Sequence, residues 1–277
     1  MKASTIDLIE SFRDTQRKIK DDDELRRMTL KTQAGTLLYF RNYKALNPCI
    51  KNDAPDISVV EDTTFHAASV YASGTDRVCV LNFANAYSPG GGVRMGAMAQ
   101  EECLCRSSNL YAALTLPYLI TNYYKWNAKN TGDMGTDAVI YSPGVTVFKT
   151  DDEIPRELQE PFRVDVLTCA APYNDPDKRK PASWEKLEEV FHARIGNILE
   201  VAAARDVDVF VAGAFGCGAF RNPPELVAEV FRSLLVDKGY GRYFKKVVFA
   251  IKKNPHSNTN LETFRNVFTE CSRYLTP

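Results

Sequence analysis

The stretch from Val80 to Tyr111 reads VLNFANAYSPGGGVRMGAMAQEECLCRSSNLY, and both the fold and the chemistry can be worked out from it. It starts inside a hydrophobic run, Val78 to Phe83, passes three consecutive glycines, and continues into a Gln-Glu-Glu triplet at 100–102. Apolar residues at helical spacing follow this triplet as far as Leu114. The pattern predicts a strand, a loop that passes close to a ligand, and a helix with two carboxylates in its first turns.

The glycine loop predicts an anion-binding site. Without a Cβ, the main chain of Gly90, Gly91 and Gly92 can take positive φ and point successive N–H groups into a concave space. The expected ligand is a phosphate or diphosphate beside a helix N-terminus. A lone run of three glycines is more often a mobile turn, so the loop alone does not establish binding.

The two carboxylates, Glu101 and Glu102, also have an ordinary role, because acids in the first turn of a helix complement its dipole by about 0.3–1 kcal/mol each. Beside an anion-binding loop, however, they repel the ligand that the loop would hold. Such repulsion makes sense where the carboxylates perform acid–base chemistry on a phosphate-bearing substrate.

The motifs in this order, NFAN, GGG, QEE and RSSNLY, resemble the poly(ADP-ribose) glycohydrolases, in particular the compact bacterial-type enzymes built on a macro domain. A second segment, GAFGCGAFRNPP at 213–224, resembles the second phosphate-binding loop of that family. The resemblance is clearest from Arg77 to Phe268 and looser at the N-terminus.

The resemblance implies a role for each matching residue. Glu102 would be the catalytic acid that protonates the departing ribose oxygen, and Glu101 would bind ribose hydroxyls. Neighbours on a helix point about 100° apart, so these two glutamates are not the opposed carboxyl pair of many glycosidases. The implied substrate-binding residues are Asn85, Gly90, Gly91, Gly92, Val93, Gln100, Gly213, Phe215, Gly216, Cys217, Gly218, Ala219 and Phe220.

Four residues of these motifs and loops can be interpreted individually. Asn85 follows the strand, where asparagine often forms a turn, whereas the resemblance favours a contact with a ribose hydroxyl. In the relatives, the aromatic residue that matches Phe220 packs against a ribose of the bound nucleotide. Arg94 and Met95 stand where many relatives carry smaller or aromatic residues, so the side of the site that faces the leaving group differs here.

The function expected from the resemblance is hydrolysis of the ribose–ribose O-glycosidic bonds of poly(ADP-ribose), mainly from the chain terminus, with release of ADP-ribose. The partners would be poly(ADP-ribose) or ADP-ribosylated proteins, in the reversal of ADP-ribosylation during the DNA damage response. Two alternatives remain: a mono-ADP-ribosyl-protein hydrolase, and a macro domain that binds ADP-ribose without cleaving it.

The composition narrows the class of protein. The chain has 277 residues, 44% of them hydrophobic, which supports a substantial core. Lys and Arg together number 35, as do Asp and Glu, so an anionic ligand must be held by local donors, and direct nucleic-acid binding is not expected. We find no signal peptide and no apolar run that could span a membrane, and expect no membrane association.

The cysteines indicate reduced thiols. Seven cysteines accompany three histidines, a pattern typical of an intracellular, cytoplasmic protein, or a nuclear one if the source is eukaryotic. Cys103 and Cys105 have the wrong spacing for a zinc knuckle, and Gly216 and Gly218 lack the third glycine of a dinucleotide fingerprint. We therefore expect neither a metal ion nor a cofactor.

Strands alternate with helices along the chain, which predicts an α/β fold with a mostly parallel sheet covered on both faces. With the resemblance, the expected fold is a three-layer α/β/α mixed sheet of macro-domain type. Residues 1–50 are read as an N-terminal helical extension that packs on a main catalytic domain at 51–277. Ala138 to Tyr141 and Val145 to Phe148 are expected to form a hairpin that turns at Pro143-Gly144. Both glycine loops leave the carboxyl ends of strands and should converge on one cleft.

Overall fold

The computed structural model describes residues 3–40, 43–45, 47–174, 177, 182–253 and 258–274, with side chains as far as residue 269. The strands are β1 Leu37–Tyr39, β2 Ile57–Val60, β3 Val78–Phe83, β4 Val139–Lys149, β5 Glu157–Cys169, β6 Val209–Ala212 and β7 Lys246–Ala250. The helices are α1 Thr5–Asp21, α2 Asp23–Gly35, α3 Thr64–Ala72, α4 Gln100–Ser107, α5 Leu110–Leu114, α6 Pro117–Leu119, α7 Trp126–Asn130, α8 Trp184–Ala204, α9 Pro224–Arg232 and α10 Thr259–Tyr274. Two π-helical segments, Ile120–Lys125 and Ser233–Asp237, follow α6 and α9.

In the described ranges the strands form a seven-stranded sheet in the order β1-β4-β5-β3-β6-β7-β2. The pairs on either side of β3, and those from β6 to β2, are parallel, whereas β4 is antiparallel to both β1 and β5. The expected mixed sheet of mostly parallel strands is therefore confirmed, with β3 at its centre.

The two faces of the sheet carry separate apolar cores, as the alternation along β3 shows. Cys79 and Leu81 belong to the core formed with α8, α9 and α10, while Val78 and Val80 belong to the core formed with α3, α4 and α5. Because successive side chains of a strand point to opposite faces, a strand covered on both faces is apolar throughout. The three-layer α/β/α fold follows directly from this arrangement.

The expected hairpin at Pro143-Gly144 is wrong, because β4 runs through both residues without turning back. The partners of β4 on β5 shift from Ser142–Val166 to Val145–Val164, which leaves one extra residue on β4 and defines a β-bulge. Gly144 has φ +58° there and donates its N–H to the carboxylate of Asp165 at 2.8 Å. A proline and a glycine are as compatible with a bulge as with a turn, and the sequence does not separate the two.

The helix that begins at Gln100 is shorter than the apolar spacing indicates. It ends at Ser107, and Ser108 forms an isolated bridge with Val147 on the edge of the sheet. The Asn109 carboxamide then accepts the N–H of Thr146 at 2.9 Å before α5 begins. Sheet contacts therefore interrupt the helical pattern, which resumes on a second short helix.

The N-terminal segment shares the sheet and the core of the rest of the chain. Asp22 separates α1 from α2 and caps α2 by accepting the N–H groups of Glu24 and Leu25. The reading of this segment as helical up to about residue 50 misses β1, which pairs with β4. Phe12 of α1 lies in the core with α3, α4 and α5. The division at residue 50 into an extension and a main domain stays a prediction.

Across the described ranges, none of the helices combines the length and the apolar character needed to cross a bilayer.

Candidate active site

Gln100 anchors the start of α4 to the end of β3. The pairing of β3 with β6 covers only Val78 to Val80, so the carbonyl of Leu81 and the N–H of Phe83 have no partner on β6. The Gln100 side chain takes the place of the absent strand: its Oε1 accepts the N–H of Phe83 at 2.9 Å and its Nε2 donates to the carbonyl of Leu81 at 2.8 Å. The same Nε2 also donates to Thr64 Oγ1 at 3.1 Å. The amide is thus engaged in the scaffold, and its binding of substrate stays a prediction.

Glu101 is held inside the protein and is only 2% exposed. Its Oε2 accepts the backbone N–H of Asn85 at 2.7 Å, and its Oε1 accepts the amide of Asn82 at 3.3 Å. Burial raises the pKa of Glu101 to about 8, against the lowering effect of these hydrogen bonds. This carboxyl group is therefore set to carry a proton at neutral pH.

Glu102 presents one free carboxylate oxygen. The side chain is 7% exposed, and its Oε1 accepts the backbone N–H of Gly92 at 2.8 Å. Its Oε2 is buried and has no hydrogen-bond partner among the described residues. Since leaving a buried carboxylate oxygen unpaired is unfavourable, this atom marks a place where a polar group of a ligand fits.

The first glycine loop lies directly against the two glutamates. Gly90 and Gly91 have φ of +68° and +54°, so the expected positive φ is confirmed for these two, whereas Gly92 has φ −94°. A Cβ on Gly91 would collide with Glu102 Oε1 and would lie 3.2 Å from Glu101 Oε2, and a Cβ on Gly90 would lie 2.7 Å from the ring of Tyr111. The glycines thus allow a close approach of the loop to the carboxylates of α4, where the sequence suggested an approach to a ligand. Their contact with substrate stays a prediction.

Asn85 and Val93, on either side of the three glycines, have structural roles. The Asn85 side-chain oxygen accepts the N–H groups of Tyr87 and Ser88 at 2.8 and 2.9 Å, so the turn-forming reading is confirmed. A contact of Asn85 with ribose stays a prediction. Val93 is fully buried in the core, which leaves only its backbone for the predicted contact with substrate.

The second glycine loop is packed tightly at its start. A Cβ on Gly213 would lie 2.6 Å from the carbonyl oxygen of Ala250 and 3.0 Å from the ring of Phe83. Phe215 is fully buried, with its ring 5.7 Å from that of Phe83 and 6.0 Å from that of Phe191. The side chain of Phe215 therefore belongs to the core, and a role in binding falls to the backbone around it.

Asn222 closes the second loop and was not foreseen from the sequence. Its amide donates to the carbonyl of Gly216 at 2.9 Å and to that of Pro172 at 2.8 Å, and a Cβ on Gly216 would lie 2.8 Å from this amide nitrogen. Gly216 has φ +78°, a conformation that favours glycine. The side chain of Cys217 is half-buried, and burial raises the pKa of its thiol.

The later part of the same loop faces open space. Gly218 has no atom within 4 Å of the position of a Cβ, and Gly218 and Ala219 are exposed. Phe220 is half-buried, with its ring edge-on to that of Tyr173 at 5.8 Å. The Phe220 side chain packs against the core formed with α8, α9 and α10 and also lines the cleft. Its contact with a ribose stays a prediction.

A cleft of about 360 Å³ separates the start of α4 from the second loop. It lies beyond the carboxyl ends of β2, β3, β6 and β7. Its lining includes Asp62, Thr63, Thr64, Phe83, Met98, Ala99, Gln100, Cys103, Asp151, Ala171, Ala214, Gly216, Gly218, Ala219, Phe220, Ala250, Ile251, Lys252 and Asn260. The second loop therefore forms a wall of the cleft. Neither the first glycine loop nor Glu101 and Glu102 are among the residues that line it, so the convergence of both loops on one cleft stays a prediction.

The chain matches one protein family over more than half of its length. Residues 3–150 match the family described as microbial-type PARG, catalytic domain. The structure is similar to that of poly(ADP-ribose) glycohydrolase (PARG) from Thermomonospora curvata, with 33% identity, a TM-score of 0.80, and coverage of 94% of this chain and 99% of that one.

This chain belongs to the microbial-type PARG family. The matched PARG structures share its three-layer α/β fold, so the expected fold class and the resemblance are both confirmed. No curated protein matches the sequence.

Two related PARG structures contain ligands. The Thermomonospora curvata enzyme bound to the inhibitor ADP-HPD is 32% identical to this chain, with a TM-score of 0.79 and coverage of 94% of this chain and 98% of that one. The Deinococcus radiodurans PARG in complex with ADP-ribose is 31% identical, with a TM-score of 0.73 and coverage of 88% and 97%.

The cleft is also lined by two acidic residues, Asp62 and Asp151, that were not predicted from the sequence. Asp62 pairs with the His66 ring at 2.8 Å, and hydrogen bonding to Asp62 raises the pKa of His66. Asp151 accepts the N–H of Phe65 at 2.8 Å, and burial raises its pKa. Asp62 follows the carboxyl end of β2. Since ligands bind beyond the carboxyl ends of parallel strands, the sequence could have indicated Asp62. Asp151 lies far along the chain and gives no such signal.

In the described part of the chain, no three His, Cys, Asp or Glu side chains are grouped in a way that could hold a metal ion.

Proposed function

We propose that this chain hydrolyses the ribose–ribose O-glycosidic bonds of poly(ADP-ribose) and releases ADP-ribose, with Glu102 as the proton donor. The observation that carries the proposal is the free, buried Oε2 of Glu102, whose Oε1 is fixed by the N–H of Gly92. A carboxyl group held in this way has one oxygen for orientation and the other for the reacting bond.

The reaction needs one carboxyl group that acts twice. Glu102 gives its proton to the departing ribose oxygen as the bond from that oxygen to the anomeric carbon breaks, and positive charge develops on the sugar ring. The resulting carboxylate then takes a proton from a water molecule, whose oxygen forms the new bond to the anomeric carbon. The two steps return Glu102 to its protonated form and leave ADP-ribose with a free hydroxyl group.

Glu101 has a separate task in this scheme. Its pKa of about 8 keeps it protonated at neutral pH, so it adds no negative charge beside the substrate diphosphate. The neutral carboxyl group can donate a hydrogen bond to a ribose hydroxyl while it still accepts the N–H of Asn85. The repulsion that two adjacent carboxylates would create is thereby reduced.

Several features support ADP-ribose as the group held in the cleft. Gly218 and Ala219 are exposed on its wall, where their backbone N–H groups are accessible to a diphosphate, and Phe220 offers a ring for a ribose. The inhibitor complex of the Thermomonospora enzyme and the ADP-ribose complex of the Deinococcus enzyme support binding of the same ligand here.

Attack at the chain terminus is part of the proposal. The cleft is bounded by the start of α4 on one side and by the second loop with Phe220 on the other, so an end unit enters more easily than a unit inside a polymer. Free ADP-ribose is then the early product. We also assign the protein to the interior of the cell, which the free thiols of the six described cysteines support.

The test is to incubate the protein with poly(ADP-ribose) and, separately, with mono-ADP-ribosylated protein, and to follow products by size at low conversion. We expect free ADP-ribose from the polymer from the start of the reaction. Abundant free oligomers early in the reaction would contradict attack at the terminus. No release from the polymer, with cleavage of the mono-ADP-ribosylated protein, would establish the alternative hydrolase, and binding without release from either substrate would establish the non-catalytic alternative.

A further inference from the structure

The turn that follows the first glycine loop is held in place by hydrogen bonds and packing, and two of its residues, Arg94 and Met95, are exposed. A 3₁₀ turn covers Val93–Met95, and the N–H of Met95 bonds to the carbonyl of Gly92 at 2.9 Å. Gly96 closes this turn at φ +75° and packs on Thr5 of α1, because a Cβ there would lie 2.6 Å from the Thr5 carbonyl oxygen. The turn therefore has little freedom to move away from the first glycine loop.

The side chains of Arg94 and Met95 point away from the core on this rigid turn. Met95 is 73% exposed, although a thioether side chain of this size normally packs against other residues. Arg94 is exposed and makes no hydrogen bond or ion pair with a described residue. Many other arginines of the chain, such as Arg13, Arg17 and Arg26, are paired with a neighbouring acid.

The turn is close to the reacting group. The Met95 methyl carbon lies 3.9 Å from the position that a Cβ would take on Gly92, and Glu102 Oε1 lies 3.7 Å from the same position. The methyl group is therefore within about 8 Å of Glu102 Oε1, since the two distances set the upper limit. Neither Arg94 nor Met95 lines the cleft that is assigned to ADP-ribose. Glu102 is not among the lining residues either, so Met95, with Arg94 next to it in the chain, lies with Glu102 in the region beside that cleft. A leaving group that extends from a bond at Glu102 can reach this region.

The chemistry of the leaving group matches these two side chains. In poly(ADP-ribose), the oxygen that leaves belongs to the adenosine ribose of the next unit, and the adenine is attached to the neighbouring carbon of that ribose. An adenine ring thus lies next to the scissile bond, with a diphosphate further along. A thioether packs favourably against an aromatic ring, and a guanidinium group binds a diphosphate or stacks on a purine.

We infer that Arg94 and Met95 form a subsite for the leaving group, which binds the adenosine diphosphate part of the penultimate ADP-ribose unit. The inference rests on the proposed function and adds to it the reason why a polymer is preferred over an ADP-ribose group on a small alcohol. Met95 packs on the adenine, and Arg94 pairs with the diphosphate.

The test compares two substrates in the Arg94→Ala/Met95→Ala double variant. One substrate is poly(ADP-ribose), and the other is ADP-ribose with a methyl group on its anomeric oxygen, which has no second unit to bind. We expect kcat/KM for the polymer to fall at least tenfold, mainly through KM, while the methyl glycoside and the affinity for ADP-ribose change less than twofold. Arg163→Ala, which removes an exposed arginine of β5, is the matched control and should leave both substrates unchanged.

Salt gives a second readout that a purely structural role would not affect. If Arg94 binds a diphosphate, the KM for the polymer rises with ionic strength in the wild-type enzyme, and it rises less in Arg94→Ala than in Arg94→Lys.

Each outcome decides between the claims. Wild-type enzyme that cleaves the polymer, with a double variant that is unchanged on it, overturns the subsite alone. An equal loss on both substrates also overturns it, because it shows that the turn acts only by supporting Glu102. Wild-type enzyme that does not cleave the polymer overturns the proposed function and this inference together.

Discussion

The two glycine loops look alike in sequence but are used differently. In the first loop, the space next to Gly91 is filled by Glu101 and Glu102, and the N–H of Gly92 binds Glu102. In the second loop, Gly213 and Gly216 are packed inside the protein, while Gly218 borders open space in the cleft. One glycine loop therefore makes room for two buried carboxyl groups, whereas the other leaves open space in the cleft.

Of one substitution in each loop, replacing Gly91 by valine should have the larger effect on catalysis. The new Cβ collides with the carboxyl of Glu102 and displaces it, so we expect kcat to fall by at least about 100-fold, in line with the loss of a general acid. Circular dichroism and a thermal melt show whether the variant is folded. A folded Gly91→Val protein with kcat within threefold of the wild type would contradict the assigned contact.

The equivalent change in the second loop should affect binding alone. A side chain on Gly218 meets no protein atom within 4 Å but enters the cleft. We expect Gly218→Val to weaken ADP-ribose binding about tenfold, or about 1.4 kcal/mol, with kcat at saturation within threefold of the wild type. Isothermal titration calorimetry measures the affinity. Unchanged affinity together with a lower kcat would contradict the prediction that the second loop acts in binding and the first in catalysis.

The smallest effect is on stability and concerns the carboxylate that the first loop encloses. The pKa of Glu101 rises from 4.5 to about 8 on folding, so the folded state holds this proton more tightly than the unfolded state does. This contribution to stability is complete below pH 4.5 and is lost as the pH rises towards 8. We expect the free energy of unfolding of the wild type, relative to Glu101→Gln, to fall by more than about 1 kcal/mol between pH 5 and pH 8. Urea titrations at the two pH values measure this difference, and a difference that is independent of pH would contradict the burial of a protonated Glu101.

The parts of the fold that follow from local patterns could be predicted from the sequence. β3 begins and ends at the predicted residues, Val78 and Phe83, because an apolar run defines this strand. The β-bulge at Pro143 was mistaken for a turn, since the same residues serve both structures. The hydrogen bonds from the Gln100 side chain to the backbone of β3 could not be predicted, because they depend on where β6 stops pairing with β3.

The site shows the same limit. The sequence predicts that the two glutamates and both loops lie near one another, since all of them follow the carboxyl ends of neighbouring strands or begin the next helix. It does not reveal which donors serve the carboxylates. The N–H of Gly92 bonds to Glu102, and Asn222 ties Gly216 to Pro172, through contacts that only the folded chain creates.

The central claim is that Glu102 delivers the proton, and Glu102→Gln tests it most directly. The amide oxygen of the new side chain can still accept the N–H of Gly92, so the loop keeps its support while the acidic proton is lost. Single-turnover release of ADP-ribose from poly(ADP-ribose), measured alongside ADP-ribose affinity, separates chemistry from binding. We predict a rate at least about 100-fold lower, with affinity within tenfold of the wild type. A rate within tenfold of the wild type would contradict the account.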